Sequence, residues 1–189
     1  MAGMTSHGAA VRYARALFDT TRAERRDVAA AYGELKQFAS LLSANPALER
    51  ALTNPAIPVQ RKRAVVDALL ARAGDLQPAV SKLLLLLADR DRLAILGDVA
   101  RAFENRLMDH QNVVRAELVT ALAVADDRVQ SIRAGLKAAT GRDVQLATRV
   151  DPSILGGAVA RIGGTVYDGS IARRLERMRD RLVVTKDGK

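Results

Sequence analysis

Apolar positions in the first part of the chain recur with the spacing of an α-helix. Ala10, Tyr13, Ala14, Leu17 and Phe18 fall at i, i+3, i+4, i+7 and i+8, so one helix would carry them on one stripe. Val28, Ala31, Tyr32, Leu35, Phe38, Ala39 and Leu42 repeat the pattern until Asn45-Pro46 interrupts it, because proline pushes the preceding residue out of the helical region. A short helix reaching about Leu52 follows, then the turn Asn54-Pro55-Ala56-Ile57-Pro58. Val65, Val66, Leu69 and Leu70 make another helical face, which ends near Gly74. Gln77-Pro78 sets a proline in the first turn of the next helix. Its stripe of Val80, Leu83, Leu84 and Leu87 is widened by Leu85 and Leu86 until the helix is apolar nearly all round. Beyond Asp91, the positions Leu96, Val99, Ala100, Phe103 and Leu107 support a long helix reaching about His110. Six helical segments with short connections predict a bundle.

From Asn112 the period falls to two. Val114, Ala116, Leu118, Thr120, Leu122 and Val124 alternate with Val113, Arg115, Glu117 and Val119, which is strand spacing. A domain boundary is therefore expected here, with a helical domain over 1–111 and a second domain over 112–189. Asp126 is expected to cap a helix with Val129, Ile132, Leu136 and Ala139 inward, and Gly141 to end it in a left-handed conformation. Val144, Leu146, Thr148 and Val150 alternate again, as does Ala158 to Ile162, and Gly163-Gly164 is a hairpin signal before Thr165 to Tyr167. Ser170 is expected to cap a last helix with Ile171, Leu175, Met178 and Leu182 inward. The fold class is α+β in two domains: a six-helix bundle, then a small α/β domain with a short sheet and two helices.

Composition narrows the chemistry. At 189 residues and 49% hydrophobic, the chain holds enough apolar surface for a core without disulfides or metals. Cysteine is absent, and His7 and His110 are the two imidazoles, so thiolate catalysis, thiolate zinc sites and His-based triads are not expected. Aromatics at 3%, with no Trp, argue against base-stacking platforms. A net charge of +9 points to an anionic partner, and the surplus is densest at the end, where Arg161–Lys189 holds eight basic and four acidic residues. The richest apolar run, Leu83 to Ala88, is bounded by Lys82 and Asp89, too short to cross a membrane, and the N-terminus has no secretory pattern.

Two features invite a chemical reading and lose it on spacing. The pairs Gly156-Gly157 and Gly163-Gly164 lie in neither a GxxxxGK[ST] nor a GxGxxG frame, so hairpin and bulge roles fit them better than phosphate binding. Asp168-Gly169-Ser170 has no histidine near it in sequence and reads as a turn followed by a helix cap. Arg173, Arg174, Arg177, Arg179 and Arg181 are interrupted by Glu176 and Asp180 in helical pairing positions, so they form either a solvated face or a docking surface. A small basic RNA-binding protein is the rival from another class, but the RNP aromatics and a clear GXXG loop are missing. No catalytic, cofactor or metal site is expected.

The unusual feature is surplus grease. On the fifth helix Val80, Leu84 and Leu87 suffice for one inward stripe, which leaves Ala79, Leu83 and Leu86 on another side. On the first helix Ala9, Tyr13, Ala16 and Thr20 make a second line beside the core line. Two such lines side by side would form a groove for a partner's amphipathic helix, unless other bundle helices cover both.

Three stretches carry a family resemblance: RYARALF (Arg12–Phe18), LLLLLADRDRL (Leu83–Leu93) and DPSILGGAVARIGGTVYDGSIARRLERM (Asp151–Met178). They resemble the delta subunits of bacterial ATP synthases, which are similar to the mitochondrial oligomycin-sensitivity-conferring proteins, and the likeness covers essentially the whole chain. The resemblance implies a non-catalytic stator subunit without cofactors at the cytoplasmic face of the bacterial membrane, one copy per complex. Its N-terminal domain would grip the N-terminal helix of an alpha subunit, and its C-terminal domain the C-terminal region of the b-subunit stalk, with no nucleic acid involved. Carried over by position, the groove would be lined by Tyr13, Ala16, Leu83 and Leu86. The family signature falls on Gly156, Gly157, Arg161, Asp168, Gly169, Ser170, Arg174 and Leu175, read as mainly fold-forming. Gly164, Ala172 and Arg173 depart from the family pattern, which leaves open which arginine meets the stalk.

Overall fold

A computed structural model describes residues 2–153, 158–162 and 165–168. The helices are α1 (Ala2–Ala23), α2 (Val28–Ala44), α3 (Pro46–Thr53), α4 (Val59–Ala73), α5 (Pro78–Asp89), α6 (Leu96–His110) and α7 (Asp126–Thr140), and the strands are β1 (Val113–Thr120), β2 (Asp143–Val150), β3 (Ala158–Ile162) and β4 (Thr165–Asp168). A 3-10 turn, Leu93–Ile95, leads into α6. The class is mixed α+β, helices first and sheet second. Two compact units are formed, Met1–Met108 and Asp109–Lys189. Among the described residues no helix is long and apolar enough to cross a membrane.

Local rules set the helix ends. The Asp27 carboxylate accepts from the Ala29 amide at 2.8 Å and the Ala30 amide at 3.2 Å, which satisfies two orphan donors at the start of α2. Pro46 and Pro78 open α3 and α5, where a missing N–H costs nothing. Gly141 ends α7 at φ 66°, the left-handed geometry that glycine adopts without strain. Asp126 does not cap α7. The cap is Ala125, without a side-chain bond, and Asp126 and Asp127 sit in the first turn, where their charge still favours the positive end of the helix dipole.

The first unit is built round one cluster in which Ala14, Leu17, Leu35, Leu84, Leu87, Val99 and Phe103 are buried together. Phe103 lies between two other rings, 5.8 Å from Phe18 in a tilted arrangement and 6.3 Å from Tyr32 in a stacked one. The α5 helix packs against α1, α2, α4 and the 3-10 turn. That explains its near-uniform apolarity and overturns part of the groove expectation: Ala79 and Leu83 are 6% and 7% exposed, members of the core rather than leftovers.

In the second unit the sheet order is β2-β1-β3-β4. The β1–β2 pair is parallel, with α7 as the crossover, while β1–β3 and β3–β4 are antiparallel. Ala116 stands opposite Leu146 on one side and Ile162 on the other, and with Val144 it forms the small core against which Val114 and Leu136 pack. The Gly163-Gly164 signal, the cap at Ser170 and the helix expected after it lie outside the described residues.

Candidate partner-binding surface

Helices α1 and α5 lie side by side, and the exposed part of their seam is where the sequence placed a groove. Tyr13 is half-buried against the core, Ala16 is exposed, and Leu86 is 41% exposed, as Leu41 is on α2, while the other leucines of its own run are drawn wholly or partly inward. Leu83, one turn before Leu86, is buried below it. Of the second line on α1, Ala9 is buried and Thr20 is exposed.

The end of α5 is tied on two sides. The Leu87 carbonyl accepts from the Arg92 amide at 2.8 Å, which folds the chain back beside the last turn of the helix. Arg92 then donates from Nη1 to the Tyr13 hydroxyl at 2.9 Å, with its guanidinium carbon 6.0 Å from the ring centroid. That pair joins α1 to the chain just beyond α5. From the other side, α4 supplies two cations. Arg63 Nη1 meets Asp89 at 2.5 Å, and the fully buried Lys62 ammonium is bonded to Asp91. Asp91 takes φ 51°, a left-handed conformation that Asp tolerates better than most residues. Lys62 was missed from the sequence, yet it stands four residues before Val66 and three after Val59, in line with the buried face of α4.

The second unit offers a different surface. An open cleft of about 830 Å³ is lined by Thr120 to Ala125 and the first turns of α7, as far as Ile132. Leu122, in that lining, is 78% exposed. Close by, the Asp151 carboxyl is held below the usual carboxylate range by the Ser153 hydroxyl and amide. Arg161 is exposed on β3, opposite Glu117 of β1. Asp168 ends β4 opposite Val159. Gly156, Gly157, Gly169, Ser170, Arg174 and Leu175 lie outside the described residues. His7 and His110 are both exposed, and no group of three or more His, Asp or Glu side chains among the described residues is arranged to hold a metal ion.

Comparison with known proteins gives one consistent answer. Residues 9–182 match the family model described as ATP synthase delta (OSCP) subunit. The chain is 37% identical over 180 residues to the ATP synthase subunit delta of Solidesulfovibrio magneticus, covering 95% of this chain and 98% of that one. It is 38% identical over 181 residues to the subunit delta of Myxococcus xanthus, again covering 95% and 98%. Among solved structures, a chain of the Toxoplasma gondii mitochondrial ATP synthase hexamer shares the fold, with a TM-score of 0.65 at 24% identity over 92% of this chain and 97% of that one.

Proposed function

The chain belongs to the ATP synthase delta (OSCP) subunit family, and from that premise we propose how its two units are used. It is a structural subunit of the ATP synthase stator, not a catalytic one. A rotary enzyme needs its catalytic head held still while the central shaft turns, and this chain is part of the linkage that resists the torque. The first unit grips the N-terminal helix of an alpha subunit along the α1–α5 seam, with Leu83 as the floor and Tyr13, Ala16 and Leu86 as the walls. The second unit grips the C-terminal region of the b-subunit stalk, and the apolar cleft beside Leu122 is its candidate contact. The complex holds the chain, as one copy, at the cytoplasmic face of the bacterial membrane.

The observation that carries the head-binding reading is Leu86. Leu83, Leu84 and Leu87 are drawn into the core, while Leu86 stands exposed next to Leu87, whose carbonyl accepts from the Arg92 that meets Tyr13. A helix laid into a groove works through a few such anchors. Leu86→Asp is expected to weaken binding of a synthetic alpha N-terminal peptide roughly tenfold or more, because an apolar contact is replaced by a charge that must be desolvated. The circular dichroism spectrum and melting temperature should change little, since the side chain is already half in water. An unchanged dissociation constant in titration calorimetry would remove the seam as the binding site.

A further inference from the structure

Resting on the seam reading, we infer that its occupant is an acidic amphipathic helix, one whose apolar stripe is flanked by carboxylates, and that a rim of four cations selects it. Lys82, Leu86 and Arg90 stand at i, i+4 and i+8, one exposed line along α5 and its cap. Arg12, also exposed, precedes Tyr13 on α1, and Arg92 is fixed against the Tyr13 ring. Two cations therefore bracket the exposed leucine along its own helix, and two more flank the tyrosine.

What makes the rim one-signed is how the run Asp89-Arg90-Asp91-Arg92 is sorted. Its two acids are both taken by α4, Asp89 by Arg63 at 2.5 Å and Asp91 by the buried Lys62. Its last base turns to α1, where Arg92 meets Tyr13. Asp19, the carboxylate nearest along α1, is engaged by Arg15 and Arg106, each at 3.5 Å. Among the described residues no carboxylate lies in ion-pair reach of Arg12, Lys82, Arg90 or Arg92. An alternating sequence would ordinarily neutralise itself; here both acids are already paired with cations of α4, which leaves Lys82 and Arg90 beside Leu86, and Arg92 at Tyr13, without a carboxylate partner. An exposed ion pair is weak singly. Several at the rim of a docked apolar stripe are partly desolvated together, and they fix orientation and raise the association rate.

The test uses the full chain and three synthetic helical peptides of about 20 residues that share one apolar stripe, with flanking positions all Glu, all Gln or all Lys. The Glu peptide should bind about tenfold tighter than the Gln peptide and the Lys peptide weaker still, with the Glu advantage shrinking several-fold as ionic strength rises through the range where the Debye length falls below about 8 Å. In the double variant K82E/R90E, where two carboxylates balance Arg12 and Arg92, the Glu advantage over the Gln peptide should be lost. Leu86→Asp should weaken the Gln peptide, which reports the seam without its charges. Equal binding of Glu and Gln peptides, both sensitive to Leu86→Asp, overturns the acidic-helix inference and leaves the seam reading standing. Binding of all three that ignores Leu86→Asp overturns both. Displacement of the Glu peptide by a single-stranded oligonucleotide, from the wild type and from Leu86→Asp alike, would assign the rim to phosphate and overturn the inference.

Discussion

Among the described residues Lys62 is the one fully buried ionic side chain, and its partner is not buried with it: the Lys62 side chain is 0% exposed and that of Asp91 is 42% exposed. The two ends of the pair should therefore respond differently to mutation. Asp91→Asn keeps the left-handed backbone, which Asn tolerates, but leaves an ammonium in the interior with no counter-charge, and should cost about 3 kcal/mol. Lys62→Met keeps most of the buried volume and releases a carboxylate that water already reaches, and should cost about 1 kcal/mol or less. Urea unfolding of the two variants checks the order, and equal losses would show that the pair acts symmetrically. At the surface, Asp143 is held below the ordinary carboxylate range, first by the hydrogen bond from Lys137 at 2.6 Å and then by its charge. A depressed folded pKa stabilises the fold above the unfolded value of about 4 and loses that contribution as pH falls through the lower folded value. Lys137→Met should move the Asp143 titration back up towards the ordinary range, read from its carboxyl carbon by NMR.

At the scale of elements, the helix ends divide into those fixed by a side chain and those fixed by backbone freedom. Asp27→Ala removes both bonds that cap α2 and should destabilise by about 1 kcal/mol. Gly141→Ala should cost about 1 kcal/mol for a different reason: a Cβ there meets nothing within 4 Å, so the penalty lies in the φ of 66° alone. Thermal unfolding tracked at 222 nm would test both, and a neutral Gly141→Ala would mean that the α7 end relaxes. The Gly141 end was legible in the sequence because it depends on neighbours in the chain, as were the change from helical to strand period near Asn112, the break at Asn45-Pro46 and the proline that opens α5; the Asp27 cap was not read there. What was not legible depends on how many elements surround one helix. A single-stripe reading assigns α5 one packing partner, so Ala79 and Leu83 looked surplus; four elements pack on it, and Leu86 is what remains exposed. The direction of Asp89 and Asp91 was hidden for the same reason, since their partners on α4 lie more than twenty residues away in sequence. On the candidate site, sequence reasoning named a seam between the first and fifth helices but could not separate Leu86, which stays outside, from Leu83, which is buried.

At the scale of the whole molecule, each of the two compact units has a hydrophobic cluster of its own, one centred on Phe103 and one on Ala116, Val144 and Ile162. A stator linkage made this way needs neither attachment to be tight alone. Once one unit is bound, the other searches a small volume, so the joined chain gains an effective local concentration that can raise overall affinity by about 10² to 10⁴ over a single contact. The gain requires both surfaces to engage at once, which places a direct condition on the proposed division of labour. In competition for ATP synthase stripped of this subunit, the full chain should displace a 1–111 fragment and a 109–189 fragment each by at least about 10², and Leu86→Asp in the full chain should reduce its binding towards that of the 109–189 fragment. Leu122→Asp should reduce it towards that of the 1–111 fragment. A fragment that competes as well as the full chain would show that one unit carries the whole attachment, and the torque-bearing link would then run through that unit alone.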